Sequence, residues 1–261
     1  MTSLSGAEPL LTVRDVRLRF GGVQALGGVS FDVHAGELVA LIGPNGAGKT
    51  SVFNCLNGVY RPETGSVRFD GSELVGRRPA AIAGLGIART FQNLGLFANL
   101  EVIDNLLIGR HARMRTGFLA GALWWGPARR EELVHRRQCE EILELLELEA
   151  YRHARVGLLP YGVQKRVELA RAIAAEPTLL LLDEPVAGMN LEETEDMVRH
   201  VLEVRSRRNP AILLVEHDMR VVMDIADRVV VLDFGKVIAA GTPAEVQAHA
   251  AVLNAYLGRP A

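Results

Sequence analysis

Gly43-Pro44-Asn45-Gly46-Ala47-Gly48-Lys49-Thr50 decides how the rest of this chain is read. The apolar run Leu38-Val39-Ala40-Leu41-Ile42 precedes it, and Ser51-Val52-Phe53-Asn54-Cys55-Leu56-Asn57 follows as a short helix stopped at Gly58. Strand, glycine loop and helix in that order are the setting of a phosphate loop. Residues without bulky side chains let the backbone curl until successive N–H groups converge on a polyphosphate. Lys49 supplies a point charge, Thr50 offers a hydroxyl to Mg2+, and the helix start beginning near Ser51 adds about half an elementary positive charge. A glycine turn that merely joins strand to helix is the plainer alternative. It does not account for every fixed position of the pattern being filled.

Composition limits what such a loop belongs to. Lysine plus arginine number 29 against 31 aspartate plus glutamate, a balance that gives no general attraction to nucleic acid. Hydrophobic residues make up 49% of the 261, enough for an ordered chain with a real core of one large or two modest domains. Cys55 and Cys139 both fall in helix-like sequence, the pattern of buried thiols in a reducing compartment rather than of a disulfide. The start shows no charged-then-apolar signal peptide, and no apolar run approaches the ~20 residues of a membrane helix. A cytosolic protein is expected, serving any membrane from outside the bilayer.

Residues 1–7 read as a loose tail. Val16, Leu18 and Phe20 alternate with arginines, as do Val29, Phe31 and Val33 with polar neighbours, and both runs predict half-buried strands. Gly36 turns the chain into the strand that feeds the phosphate loop. Thr64-Gly65 reads as a turn before a short strand over 66–71. From about Pro79 the pattern changes to helices: Val102, Leu106 and Ile108 predict one capped near Asn99, and Cys139, Ile142, Leu143 and Leu146 form the apolar face of another. Between them Gly117-Phe118-Leu119-Ala120-Gly121-Ala122-Leu123-Trp124-Trp125-Gly126-Pro127 holds both tryptophans between flanking arginines. That composition suits lipid headgroups or a membrane-embedded partner, and equally a satellite cluster folded on its own lobe.

From Leu159 the α/β pattern returns. Val163, Val167, Ala170 and Ala174 mark a helix face; Leu179-Leu180-Leu181-Leu182 and Ile212-Leu213-Leu214-Val215 read as strands covered on both sides, and 191–207 as an amphipathic helix. Residues 229–232 and 237–239 read as a hairpin about Phe234-Gly235. The triplet Asp233-Phe234-Gly235 has the letters of a kinase motif, but the catalytic-loop pattern of kinases is absent.

A carboxylate ending a buried strand is the usual companion of a phosphate loop, and Asp183 supplies it for the Mg2+ shell. Glu184, next along, is placed to accept a proton from an attacking water, worth typically 10²–10⁴-fold, or roughly 3–5 kcal/mol. A solvated loop acid is the alternative. His217 follows the next buried strand. Parallel strands end on one side of a sheet, so its ring is expected near the terminal phosphate, although a lone histidine there is often structural.

With these motifs in order, the chain resembles the ATP-binding cassette subunits of membrane transporters over about residues 10–258. The resemblance implies an α/β fold: a phosphate-loop NTPase (RecA-like) core with a parallel sheet, an antiparallel β subdomain and a helical insertion. Residues 8–258 would form one domain, with its core at 8–90 and 160–258 and the helical part at 91–159. It implies ATP and Mg2+ as cofactors, with Gly43 to Thr50 and Ser51 on the phosphates. Phe20 would stack on adenine, although a core strand residue is an equal reading of its pattern. Gln92, in Arg89-Thr90-Phe91-Gln92-Asn93, would reach Mg2+ and the attacking water. Thr50 and Asp183 would complete the metal set, with Glu184 as the base and His217 as the switch histidine. Ala187-Gly188-Met189-Asn190 matches the loop of the dimer contact.

The family's signature, usually Leu-Ser-Gly-Gly-Gln, aligns with Leu159-Pro160-Tyr161-Gly162-Val163. In the family this segment caps the ATP of the other subunit in a head-to-tail dimer. Pro160 removes a hydroxyl and an amide donor, so the composite site it completes is expected to be the weaker of two. Arg89-Thr90-Phe91-Gln92-Asn93, the insertion after it, Tyr161-Gly162 and the ending Asn254-Ala255-Tyr256-Leu257-Gly258 are similar to subunits of branched-chain amino-acid importers. Subunits of urea or amide importers and of some lipid exporters share these marks. The implied partners are a second cassette subunit, two transmembrane permease subunits and an extracytoplasmic solute-binding protein, with no nucleic acid, at the cytoplasmic face of the membrane. A chromosome or repair ATPase would need a long coiled coil between Lys49 and Asp183, and no long heptad run is present. A nucleotide sensor that holds ATP without productive hydrolysis is the alternative from another class.

Overall fold

A computed structural model describes residues 8–90, 95–111 and 127–257. The tail 1–7, Gln92, the tryptophan segment up to Gly126 and the terminal Gly258 lie outside the described residues. The chain divides into two compact units, one of residues 1–85 and 208–261 and one of residues 86–207.

The first unit opens with β1 (Leu11–Phe20) and β2 (Val23–Val33), paired antiparallel. Leu11, Val13, Val16 and Leu18 are buried. The three-residue step from Val13 to Val16 comes from a bulge, where Asp15 takes a left-handed φ of 44° and resets which face points inward. Then come β3 (Leu38–Ile42), buried at every residue, and α1 (Lys49–Leu56). β4 (Thr64–Phe69) and the short β5 (Ser72–Glu73) complete an antiparallel sheet of order β2-β1-β4-β5, before α2 (Pro79–Gly84). Thr64 and Gly65, expected as a turn, already belong to β4. Gly65 (φ 97°) crosses so close to the bulge that a Cβ would lie 2.5 Å from the Asp15 carbonyl oxygen.

The second unit starts with β6 (Ile87–Arg89), a strand of three residues and so too short to show alternation. α3 (Val102–Arg110) is capped by the backbone at Glu101 rather than near Asn99. Its buried face includes Val102, Ile103 and Leu106, and Ile108 is exposed. Asn105 holds the entry to the helix, its amide bonding both the Phe97 backbone and the Glu101 carbonyl. In α4 (Pro127–Leu145) Cys139, Ile142 and Leu143 are buried together with Leu146 just beyond the helix, as their spacing predicts. α5 (Tyr161–Ala174) buries Val163, Val167, Ala170 and Ala174, and leads to β7 (Leu179–Asp183), which runs parallel to β6 with Ile87 opposite Leu179. α6 (Leu191–Arg208) closes the unit. Among the described residues no helix is long and apolar enough to cross a membrane.

The chain then returns to the first unit as β8 (Ala211–Val215), α7 (Met219–Ile225), β9 (Arg228–Asp233) and β10 (Lys236–Gly241), followed by α8 (Pro243–Gln247) and α9 (Ala250–Leu257). β3 has parallel neighbours on both sides, β8 and β9, and this explains its unbroken burial. Ala40, Ile42, Val222, Val229, Val231 and Val246 pack as one cluster behind it. β9 and β10 form the expected hairpin, with Phe234 and Gly235 both left-handed at its turn. Both cysteines are buried and unpaired by disulfide; burial pushes the Cys55 thiol up to about 12 and the Cys139 thiol up to about 11.

Candidate functional site

In the first unit the loop 43–50 leaves β3 and becomes α1 at Lys49. Gly43 and Gly48 are glycines for lack of room: a Cβ on Gly43 would sit 2.1 Å from the Leu232 carbonyl oxygen, and one on Gly48 2.8 Å from that of Ala25. Both also have positive φ, as does Gly46, whose surroundings are open within 4 Å. Asn45, Gly46 and Thr50 are exposed, Pro44 and Ser51 half-buried, and Ala47 buried. Lys49 lies folded across the loop, its Nζ donating to the carbonyls of Gly43 at 2.6 Å and Pro44 at 3.1 Å.

Gly235 supports the loop from outside the motif. Its N–H donates to the Ala47 carbonyl at 2.9 Å, and its own carbonyl accepts from Gly27 at 2.7 Å. A Cβ there would come within 2.4 Å of the Ala25 carbonyl oxygen, at φ 73°. Of the Asp233-Phe234-Gly235 triplet, Gly235 therefore matters as a buttress of the glycine loop. The hairpin turn was legible in the sequence, but nothing local signalled what it would touch.

Phe20 is not a core residue. It is 47% exposed and meets Tyr60 edge-on with ring centroids 5.0 Å apart. His217 is exposed two residues past β8, its backbone N–H bonded to the carboxylate of buried Glu216 at 2.9 Å. β3 and β8 are parallel with Leu41 opposite Val215, so the loop and His217 leave the same edge of this unit's sheet.

In the second unit Asp183 ends β7 almost fully buried, and its Oδ2 accepts from Arg89 Nη2 at 2.6 Å. Its backbone N–H donates to Thr90 Oγ1 at 3.1 Å. Sequence reading missed this ion pair, because a contact between residues so far apart in the chain leaves no local pattern. Glu184 is half-buried with a left-handed φ of 50°. Its carbonyl accepts from Ala187 N–H at 3.2 Å, closing a turn that leads to Asn190 and Glu193, which cap one another at the start of α6.

Of the signature residues, Leu159 is half-buried, Pro160 is the exposed extended residue that caps α5 without a side-chain bond, and Tyr161 is 43% exposed. Gly162 and Val163 are buried, and a Cβ on Gly162 would lie 2.7 Å from Glu193 Oε1. The Tyr161 hydroxyl donates to the Ala187 carbonyl at 3.2 Å.

A glycine loop that runs from a buried parallel strand into a helix, together with a carboxylate pair at the end of another strand, defines a phosphate-loop nucleotide-binding protein. Residues 26–187 match the family model of the ABC transporter, and residues 236–261 that of the branched-chain amino acid ATP-binding cassette transporter. The high-affinity branched-chain amino acid transport ATP-binding protein BraF of Pseudomonas aeruginosa is 42% identical over 252 residues, covering 97% of this chain and 99% of the relative. The corresponding protein LivG of Escherichia coli K12 is 40% identical with the same coverage. A crystal structure of the ADP conformation of an ATP-binding cassette of an ABC transporter superposes with a TM-score of 0.83 at 30% identity, covering 97% of this chain and 100% of that one. The chain belongs to the ABC transporter family and is an ATPase cassette of that family.

Proposed function

We propose that this chain is the ATP-hydrolysing subunit of a membrane importer for branched-chain or related amino acids. The observation that carries the reading is likeness along the whole chain to two transport proteins of that kind, combined with a loop whose glycines leave no room for side chains. The partners we infer are a second cassette subunit paired head to tail, two transmembrane permease subunits at the cytoplasmic face of the membrane and, indirectly, an extracytoplasmic solute-binding protein.

Bound ATP with Mg2+ would supply a reactive terminal phosphoryl group. Mg2+ keeps much of its shell as water and phosphate oxygen and asks few donors of the protein; by the sequence resemblance these would be the exposed Thr50 hydroxyl and the carboxylate of Asp183, whose Oδ2 accepts from Arg89 in this structure. Converging N–H groups and Lys49 hold the phosphates, and the exposed Phe20 ring offers a face to adenine. Glu184 takes a proton from the attacking water, with His217 toward the terminal phosphate. Gln92, outside the described residues, keeps its role as an inference from the sequence.

Glu184→Gln in the chain assembled with its co-purifying membrane subunits tests the reading. Turnover is expected to fall roughly 10²–10⁴-fold while nucleotide binding persists. Uptake of labelled leucine into vesicles should fall with it. Uptake of urea or an amide instead, or lipid export, would change the substrate class; no turnover in the complete wild-type assembly would make the chain a nucleotide sensor.

A further inference from the structure

We propose that Lys165 is a positioning residue for Glu184, acting through the backbone of the base. The proposal rests on Glu184 being the base.

Lys165 lies on α5, one turn after Tyr161, and is only 3% exposed. Its Nζ is 3.6 Å from Oε2 of Glu168, itself 2% exposed, and donates to the Glu184 carbonyl oxygen at 3.4 Å. Burying an ammonium and a carboxylate together is a poor way to stabilise a helix, since an apolar pair of similar volume often does as well or better. The arrangement calls for another use, and the third group at the ammonium supplies one.

Glu184 needs holding. Its φ of 50° is a left-handed conformation that a residue with a Cβ adopts at a cost. Its carbonyl accepts both from Ala187 N–H within the turn and from Lys165 across it. Holding that carbonyl fixes ψ of Glu184, and with it the direction of the Cα–Cβ bond relative to the 184–187 turn. Tyr161, one turn earlier on the same helix, holds the Ala187 carbonyl. Two side chains from one face of α5 thus hold two carbonyls of the 184–187 turn, and Lys165 holds the one belonging to the base. A base displaced by ~1 Å loses about 10²-fold in rate.

The test is turnover by the assembled transporter carrying Lys165→Met with Glu168→Gln, a pair that removes both charges of the ion pair together. The expected result is a kcat lowered roughly 10–100-fold, with the KM for ATP and the affinity for a fluorescent ATP analogue within about twofold of wild type. Lys165→Arg, which keeps a charged donor, should recover kcat to within about threefold. A double variant that keeps its kcat, one that raises KM alone, or an arginine variant no better than the double one would each overturn the proposal. Should the double variant melt below the assay temperature, Lys165→Gln against Lys165→Arg is judged by the same criterion. Glu184→Gln, run in parallel, separates the two ideas: if it keeps full turnover, the base assignment falls; if it is inactive while the Lys165 variants are normal, only the positioning role falls.

Discussion

Two helix starts in this protein, each of which the proposed function sets against a phosphate, are built in opposite ways. The start of α1 is made of backbone: glycines with positive φ, a folded-back lysine, and a carbonyl bonded by Gly235. The start of α5 has Pro160 at its cap and is held from behind by side chains, with Tyr161 and Lys165 on neighbouring carbonyls and Glu193 filling the space beside Gly162. The first depends on where atoms cannot go, the second on which charges and hydroxyls meet. The first should therefore be sensitive to volume and the second to charge.

The largest effect is expected where charge is most deeply buried in the second unit. Arg89→Met leaves the Asp183 carboxylate without its guanidinium, and should cost about 3–5 kcal/mol in urea unfolding, most of it regained when Asp183→Leu is added. A much smaller loss would mean that the second unit is not organised by its ion pairs. Gly43→Ala tests the first unit by volume alone. A methyl 2.1 Å from the Leu232 carbonyl forces the loop to shift, with strain of about 1–3 kcal/mol and up to roughly a 100-fold loss of nucleotide affinity by titration. Unchanged affinity would remove the contrast.

The smallest effect sharpens the comparison through pH. His200 on α6 is fully buried, and among the described residues neither ring nitrogen has a hydrogen-bond partner. Burial first, then Arg199 and Arg166, lowers its pKa below 6.5. The folded protein therefore keeps the ring neutral while the unfolded chain takes up a proton. Stability is full above pH 6.5 and is lost as the pH falls below it toward the depressed folded value. His200→Leu should raise stability by ~1–2 kcal/mol at neutral pH, with the gain widening in acid. A gain that does not depend on pH would mean that the ring titrates alike in the folded and unfolded chain.

The same contrast explains what could be read from the sequence. The loop 43–50 is contiguous, and the positive φ of Gly43, Gly46 and Gly48 belongs to its own backbone, so the order of residues displays much of the structure directly. The apolar strands β3, β7 and β8 were legible for a similar reason: burial on both faces leaves an unbroken run. β6 is too brief to carry a period, and α3 starts at Glu101 with no side-chain cap to mark it, so neither could be placed. Lys165 and Glu168 lie off the helix face that Val163, Val167, Ala170 and Ala174 mark in the sequence. They are buried because α5 is packed on nearly every side, a fact set by other segments of the chain. Gly235 was recognised as a turn residue, while its bond to Ala47 belongs to the tertiary fold.

The two inaccessible sulfurs have a practical consequence for anyone wishing to watch the cassette at work. With their thiols pushed to about 12 and about 11, Cys55 and Cys139 hold almost no thiolate at neutral pH and should ignore maleimide probes. The wild-type chain is thus a silent background for spectroscopy, into which a fluorophore or spin label can be placed at a chosen surface position without first engineering the native cysteines away.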